Sequence, residues 1–198
     1  LGIPQDKIIE SDRQSHVQAT ELIVPSFPGY LDWVSEGTIK FLRQTFLPQV
    51  SLTKTSKQKI YVSRAKAKNR QLINEAEVSK LLAKQGFKTV FLEELSVLEQ
   101  VAVFINAEII VSPHGSGLTN LVFCAPNTKV VELFSPNYLR TDYWMISQQL
   151  QLQHYYLVGE NFDCLSLRNL MYQNPLTEDI LVSIDSLKLI LQHLQQQD

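Results

Sequence analysis

Cysteine is scarce in this chain: two among 198 residues, Cys124 and Cys164. The two could pair, but they suggest neither a disulfide framework nor a metal site, and they read as ordinary thiols in a reducing setting. No apolar run approaches the ~20 residues that a membrane-crossing helix needs. An excess of one charge is also lacking. Eighteen Lys and Arg against twenty Asp and Glu leave a net charge of −2, so nothing global points to nucleic acid or a membrane surface. Two phosphate-binding fingerprints are absent as well. Neither Gly-x-x-x-x-Gly-Lys nor Gly-x-Gly-x-x-Gly opens the first strand–helix unit, which weighs against ATPase and dinucleotide-dehydrogenase readings. No internal repeat or low-complexity tract stands out. Leu1-Gly2-Ile3-Pro4 has neither an initiator methionine nor a basic n-region. The expectation is therefore a segment of a longer protein, with any targeting signal lying elsewhere.

What is present is a core. Hydrophobic residues make up 44% and charged residues 19% of the chain, as in one globular domain with or without a short extension. Short β-type runs alternate with helical patterns, which predicts an α/β fold with a parallel sheet. Strands are expected at 7–10, 21–24, 59–63, 88–92, 108–112, 129–134 and 155–158, with 180–184 a further candidate. Asn74-x-x-Glu77 and Ser96-x-x-Glu99 read as capping boxes, the first with Ile73 and Val78 placed as a staple. The helix after Asn74 should stop near Gly86. Asp185 is a candidate cap for the last helix, and 32–46 has helical spacing ahead of Pro48.

Three features carry chemistry. His114-Gly115-Ser116-Gly117-Leu118 follows the apolar run Ile109-Ile110-Val111 and precedes a helical pattern. A strand, a glycine turn and a helix start together present unpaired amides to an anion such as phosphate, and His114 can add a donor. Seven basic residues fall between Lys54 and Arg70 with no acid among them. They form either a solvated loop or a positive field for an anionic ligand. Arg64, just past a strand, favours the field, because ligands of open α/β sheets bind at the carboxyl edge. Glu132 interrupts the apolar run Val130–Phe134. It either faces outward or sits at the rim, where acids accept bonds from ribose hydroxyls. Turn, arginine and acid on one rim fit a nucleoside diphosphate. Asn74 is better explained as a helix cap. Asn120 is expected to brace the turn, and Arg70 either reaches the ligand or pairs with Glu75. The aromatics Trp33, Tyr143, Trp144, Tyr155 and Tyr156 read mostly as core or interface residues. His16, His154 and His193 lack metal-ligand spacing and read as surface or packing residues. A hydrolase reading of the His-Gly-Ser-Gly run is weak without a Gly-x-Ser-x-Gly elbow.

The ordered set Ser63-Arg64, Arg70, Asn74-Glu75, Gly86-Phe87, Glu94-Leu95-Ser96, Glu99-Gln100, Phe104, Ala107, Pro113 to Asn120 and Val131-Glu132 resembles glycosyltransferase family 61. Val24-Pro25-Ser26 and the run from Phe41 to Pro48 are similar to it too; Ser116 stands where alanine is common. The resemblance implies a Rossmann-like parallel sheet forming one half of a GT-B fold. Residues 1–50 would be the remnant of, or connection to, an N-terminal domain, and residues 51–198 the donor-binding domain. It implies inverting transfer from a UDP-sugar to an acceptor hydroxyl on a glycan or protein, with no cofactor and no bound metal. The donor set would be Arg64, Arg70, His114, Gly115, Ser116, Gly117, Asn120 and Glu132, with the catalytic base coming from the missing N-terminal half. The isolated fragment would then be a poor catalyst. The other reading is a non-catalytic nucleotide-binding or protein-interaction module. Mild acidity and few cysteines lean towards a cytoplasmic setting.

Overall fold

The structure, a computed structural model, describes residues 2–26, 33–50 and 57–196. Five parallel strands form one sheet in the order β2-β1-β3-β4-β5. They are β1 (Gln58–Val62), β2 (Phe87–Val90), β3 (Ala107–Pro113), β4 (Lys129–Phe134) and β5 (Gln153–Val158). The helices are α1 (Glu36–Phe46), α2 (Glu75–Lys84), α3 (Val97–Ile105), α4 (Asp142–Gln149), α5 (Leu165–Met171) and α6 (Ile184–Gln195). A 3-10 helix, Ser116–Phe123, follows β3.

Central strands of a parallel sheet are covered on both faces and so read as unbroken apolar runs. β4 is buried at every position, and β3 at every position but Glu108. One face packs Ile60, Val62, Ile110 and Val130 against α1, α3, the 3-10 helix and α4 through Ile39, Phe104, Leu118 and Ile146. The other packs Tyr61, Ile109, Val111, Val131 and Leu133 against α2 and α6 through Val78, Leu82, Leu187 and Leu191. Lys129, though buried, sends its Nζ to the Leu194 carbonyl at 2.7 Å, capping the carboxyl end of α6. Arg43 on α1 does the same for the 3-10 helix, donating to the carbonyls of Val122 and Cys124 at 2.6 and 2.9 Å. These bonds fasten the outer helices at their dipole-negative ends.

Local signals set several boundaries. Ser96 and Glu99 form the expected capping box. Gly86, at φ 83°, follows α2 in the left-handed region that glycine tolerates. Other expectations are corrected. The stretches 7–10 and 21–24 are not strands: Ile8, Ile9, Leu22, Ile23 and Val24 are at least half exposed, and no sheet edge pairs with them. Within 180–184 only Ile180 forms a bridge, to Leu72, and Ile184 already opens α6. Ser183, not Asp185, caps that helix, while Asp185 pairs with Lys188. Asn74 does not cap α2 with its side chain. Its amide instead clamps Val182, donating to its carbonyl at 2.8 Å and accepting from its N–H at 3.1 Å. The tertiary bond wins because one amide then satisfies two buried backbone groups. Asp32 lies outside the described residues. Among those residues, no helix is long and apolar enough to cross a membrane.

Candidate functional site

The strand order reverses direction between β1 and β3. In open α/β sheets the loops leaving the carboxyl ends of such neighbours diverge, and ligands bind there. Arg64 and Arg70 belong to the loop after β1, and His114 to Gly117 to the turn after β3. The His114 N–H still reaches the Leu133 carbonyl at 2.8 Å, so the turn is held to β4.

Arg64 lies flat against Gly115. A Cβ on Gly115 would sit 2.1 Å from Nη1 of Arg64, so this glycine serves close approach; its φ of 168° is ordinary extended backbone. Nη2 of Arg64 donates to the Asn69 carbonyl at 3.0 Å, while Nε is buried without a partner. Burial first, and the adjacent Arg70 guanidinium second, lower the Arg64 pKa, yet an arginine stays charged. Arg70 sits at φ 56°, a left-handed conformation costing roughly 1–2 kcal/mol for a non-glycine residue. It is held there by bonds from Nε to the His114 carbonyl at 3.1 Å and from Nη1 to the Leu176 carbonyl at 2.8 Å. Its guanidinium also lies over the Tyr138 ring, 5.4 Å from the centroid. The pairing of Arg70 with Glu75 is not made. Glu75 takes Tyr61 Oη and Ser63 Oγ, each at 2.6 Å.

The rest of the turn is arranged around these cations. Ser116 is exposed, and the first amides of the 3-10 helix have no intrahelical carbonyl to bond. Gly117 lets the helix close on the sheet, since a Cβ there would lie 2.8 Å from Cδ1 of Leu92. Asn120 braces the turn from below, donating to the Gly117 carbonyl at 3.1 Å and to Gln100 Oε1 at 2.9 Å.

Glu132 does not face outward. It is wholly buried, and its carboxylate is engaged with two imidazoles, His114 Nδ1 at 2.5 Å and His154 Nε2 at 2.9 Å. His154 Nδ1 in turn meets Ser147 Oγ on α4 at 2.7 Å. The His114 ring is packed by Phe134 in a stack, Tyr138 edge-on and Tyr143 at a tilt, with centroids 5.0–5.3 Å away. Tyr143 also bonds Thr119, and burial raises its pKa. Over β4 and β5 lies a pocket of about 410 Å³ whose wall includes Glu132 and His154 of this cluster, with Leu139, Arg140, Trp144 and Tyr156. Among the described residues, no three His, Cys, Asp or Glu side chains are placed to hold a metal ion.

The sequence profile described as Glycosyltransferase 61 matches residues 2–131 of this chain. The chain belongs to glycosyltransferase family 61. Within the family it is similar to a β-1,2-xylosyltransferase of Arabidopsis thaliana, 32% identical over 98 residues, which are 43% of this chain and 18% of the relative. It is also similar to the human protein O-linked-mannose β-1,4-N-acetylglucosaminyltransferase 2, 32% identical over 117 residues, 57% of this chain and 19% of the relative. A rice β-1,2-xylosyltransferase is 34% identical over 61 residues, 31% of this chain and 11% of the relative. The chain thus spans less than a fifth of the length of these relatives.

Sequence reasoning missed His154, Ser147 and the tyrosine cage. His154 is read above as a surface or packing residue. Only the β4–β5 register, in which Val130 faces His154 and Glu132 faces Tyr156, brings it to Glu132 on one sheet face.

Proposed function

We propose that this family 61 domain binds a nucleotide-sugar donor, a UDP-sugar, for inverting, metal-independent transfer of the glycosyl group to an acceptor hydroxyl on a glycan or protein. One observation carries the reading: two guanidiniums converge on the glycine turn at the sheet's switch point, and Arg64 Nε is buried with no partner. Like charges brought together in a half-buried crevice ask for an anion. A diphosphate supplies two negative charges and a set of acceptor oxygens that the forked donors fit. During transfer the departing diphosphate gains charge, and fixed donors at its oxygens lower the barrier. Arg64, Arg70 and the 115–117 amides would hold it, with Gly115 keeping the approach open, Ser116 at the exposed edge and Asn120 holding the turn in shape. The pocket beside Trp144 and Tyr156 would take the nucleoside. It lies over β4 and β5, up to three strand spacings (about 14 Å) from β1, a distance a nucleoside diphosphate spans.

No side chain here is assigned as the base that activates the acceptor. We place that group in the rest of the protein, in a GT-B arrangement of two facing domains. The printed names of the relatives speak of xylosyl and N-acetylglucosaminyl transfer, which makes UDP-xylose and UDP-N-acetylglucosamine the donors to try first. Calorimetric titration of UDP and both sugars into the chain is expected to give saturable binding that Arg64→Ala removes with the circular dichroism unchanged. Absence of UDP binding at millimolar concentration, by this chain and by the full-length protein alike, overturns the reading.

A further inference from the structure

We propose that Glu132, His154 and Ser147 form a buried positioning relay. It fixes His114 as the Nδ1–H tautomer and leaves Nε2 as the ring nitrogen presented to the donor. The contact with the donor rests on the donor-site reading; the tautomer does not.

The geometry orders the protons. A carboxylate only accepts, so His114 Nδ1 and His154 Nε2 must both donate to Glu132. His154 Nδ1 then receives the Ser147 hydroxyl, at 2.7 Å, in the tautomer that keeps the ring proton on Nε2. Both nitrogens of His154 are thereby occupied, whereas His114 keeps Nε2 for a partner outside the cluster. The residues of the relay are buried: the side chains of His114, Glu132 and His154 are between 1% and 5% exposed, and Ser147 is fully buried.

With its proton held on Nδ1, His114 keeps Nε2 as an acceptor, suited to a hydroxyl of the donor. Arg70, bonded to the His114 carbonyl, and Arg64, lying on Gly115, stand beside it with the donors for a diphosphate. Tyr138 and Tyr143 hold the ring in place.

The test is nitrogen NMR on the full chain with labelled histidine, paired with calorimetry of UDP-N-acetylglucosamine. Expected is a His114 that carries its proton on Nδ1. Glu132→Gln should release the tautomer and weaken binding on the order of ten-fold; Ser147→Ala should loosen the tautomer with a smaller loss. A His114 protonated on Nε2 alone in the wild type, or a tautomer untouched by both variants, overturns the relay. Donor affinity left unchanged by Glu132→Gln overturns its role in binding while leaving the donor site standing. Should the donor fail to bind, the donor reading falls and the tautomer result still decides the relay. If Glu132→Gln does not fold, Ser147→Ala supplies the variant.

Discussion

Two polar clusters flank the carboxyl end of β1, and they differ in whether their hydrogen bonds close. On one side Glu75 receives Tyr61 and Ser63, and Asn74 exchanges two bonds with Val182. Each of these bonds ties one part of the chain to another. On the other side Arg64 and Arg70 bond only to carbonyls and crowd each other, and one buried N–H is left over. Buried polar groups in folded proteins are normally paired. The closed cluster holds the fold; the open one has donors to spare for something that is not protein. Polarity alone does not mark a site, because both clusters are polar. An unfinished set of hydrogen bonds does.

The sharpest test of that contrast is Arg64→Ala. It should reduce UDP affinity by about 100-fold, equivalent to roughly 2.7 kcal/mol, while leaving the melting temperature nearly unchanged. Calorimetry and a thermal scan check both halves, and a collapse of stability would show that the arginine belongs to the fold after all. The mirror experiment is Glu75→Ala. It strands the Tyr61 hydroxyl, on a residue with no exposed surface, and should cost about 2–3 kcal/mol in denaturant unfolding, with the UDP affinity of the folded protein intact. Gly115→Ala comes next. Its methyl would fall on Nη1 of Arg64, so binding should weaken about ten-fold as the guanidinium is pushed aside, with little loss of stability. Arg43→Ala removes two bonds to helix-end carbonyls and should cost roughly 2 kcal/mol of stability, far from the site. The smallest effect is at Ser96, whose hydrogen bonds lower the pKa of Glu99 below its ordinary 4.5. A depressed carboxylate stabilises the fold above its unfolded pKa, and that contribution is lost as pH falls through the folded one. Ser96→Ala should therefore cost about 1 kcal/mol at neutral pH and flatten the acid side of the stability curve below pH 4.5.

The turn was legible because glycine spacing after an apolar strand is a local signal, and so was the Ser96 box. The relay was not. Glu132 stood out as an acid in an apolar run, but its partners come from residues 18 and 22 positions away in sequence, and Ser147 is one more serine on a helix. Asn74 misled for a related reason: capping geometry and a tertiary clamp call for the same side chain, and Val182, 108 residues on, decides between them. The stretches 7–10 and 21–24 misled in the opposite way. Their residues favour strands, but β structure needs a neighbour to bond, and among the described residues no strand of the sheet pairs with them.

The sequence by itself determined the alternation of strand and helix, the buried central strands, the capping at Ser96 and Gly86, and the glycine turn with an arginine at a strand end. All of these depend on residues within a few positions of one another. Only the tertiary structure decided the strand order that puts Arg64 beside Gly115, the closure of Glu75, and the register that sets His154 against Glu132. Those depend on which strands become neighbours and in what alignment, and burial of two whole sheet faces fixes that, not any local run of residues.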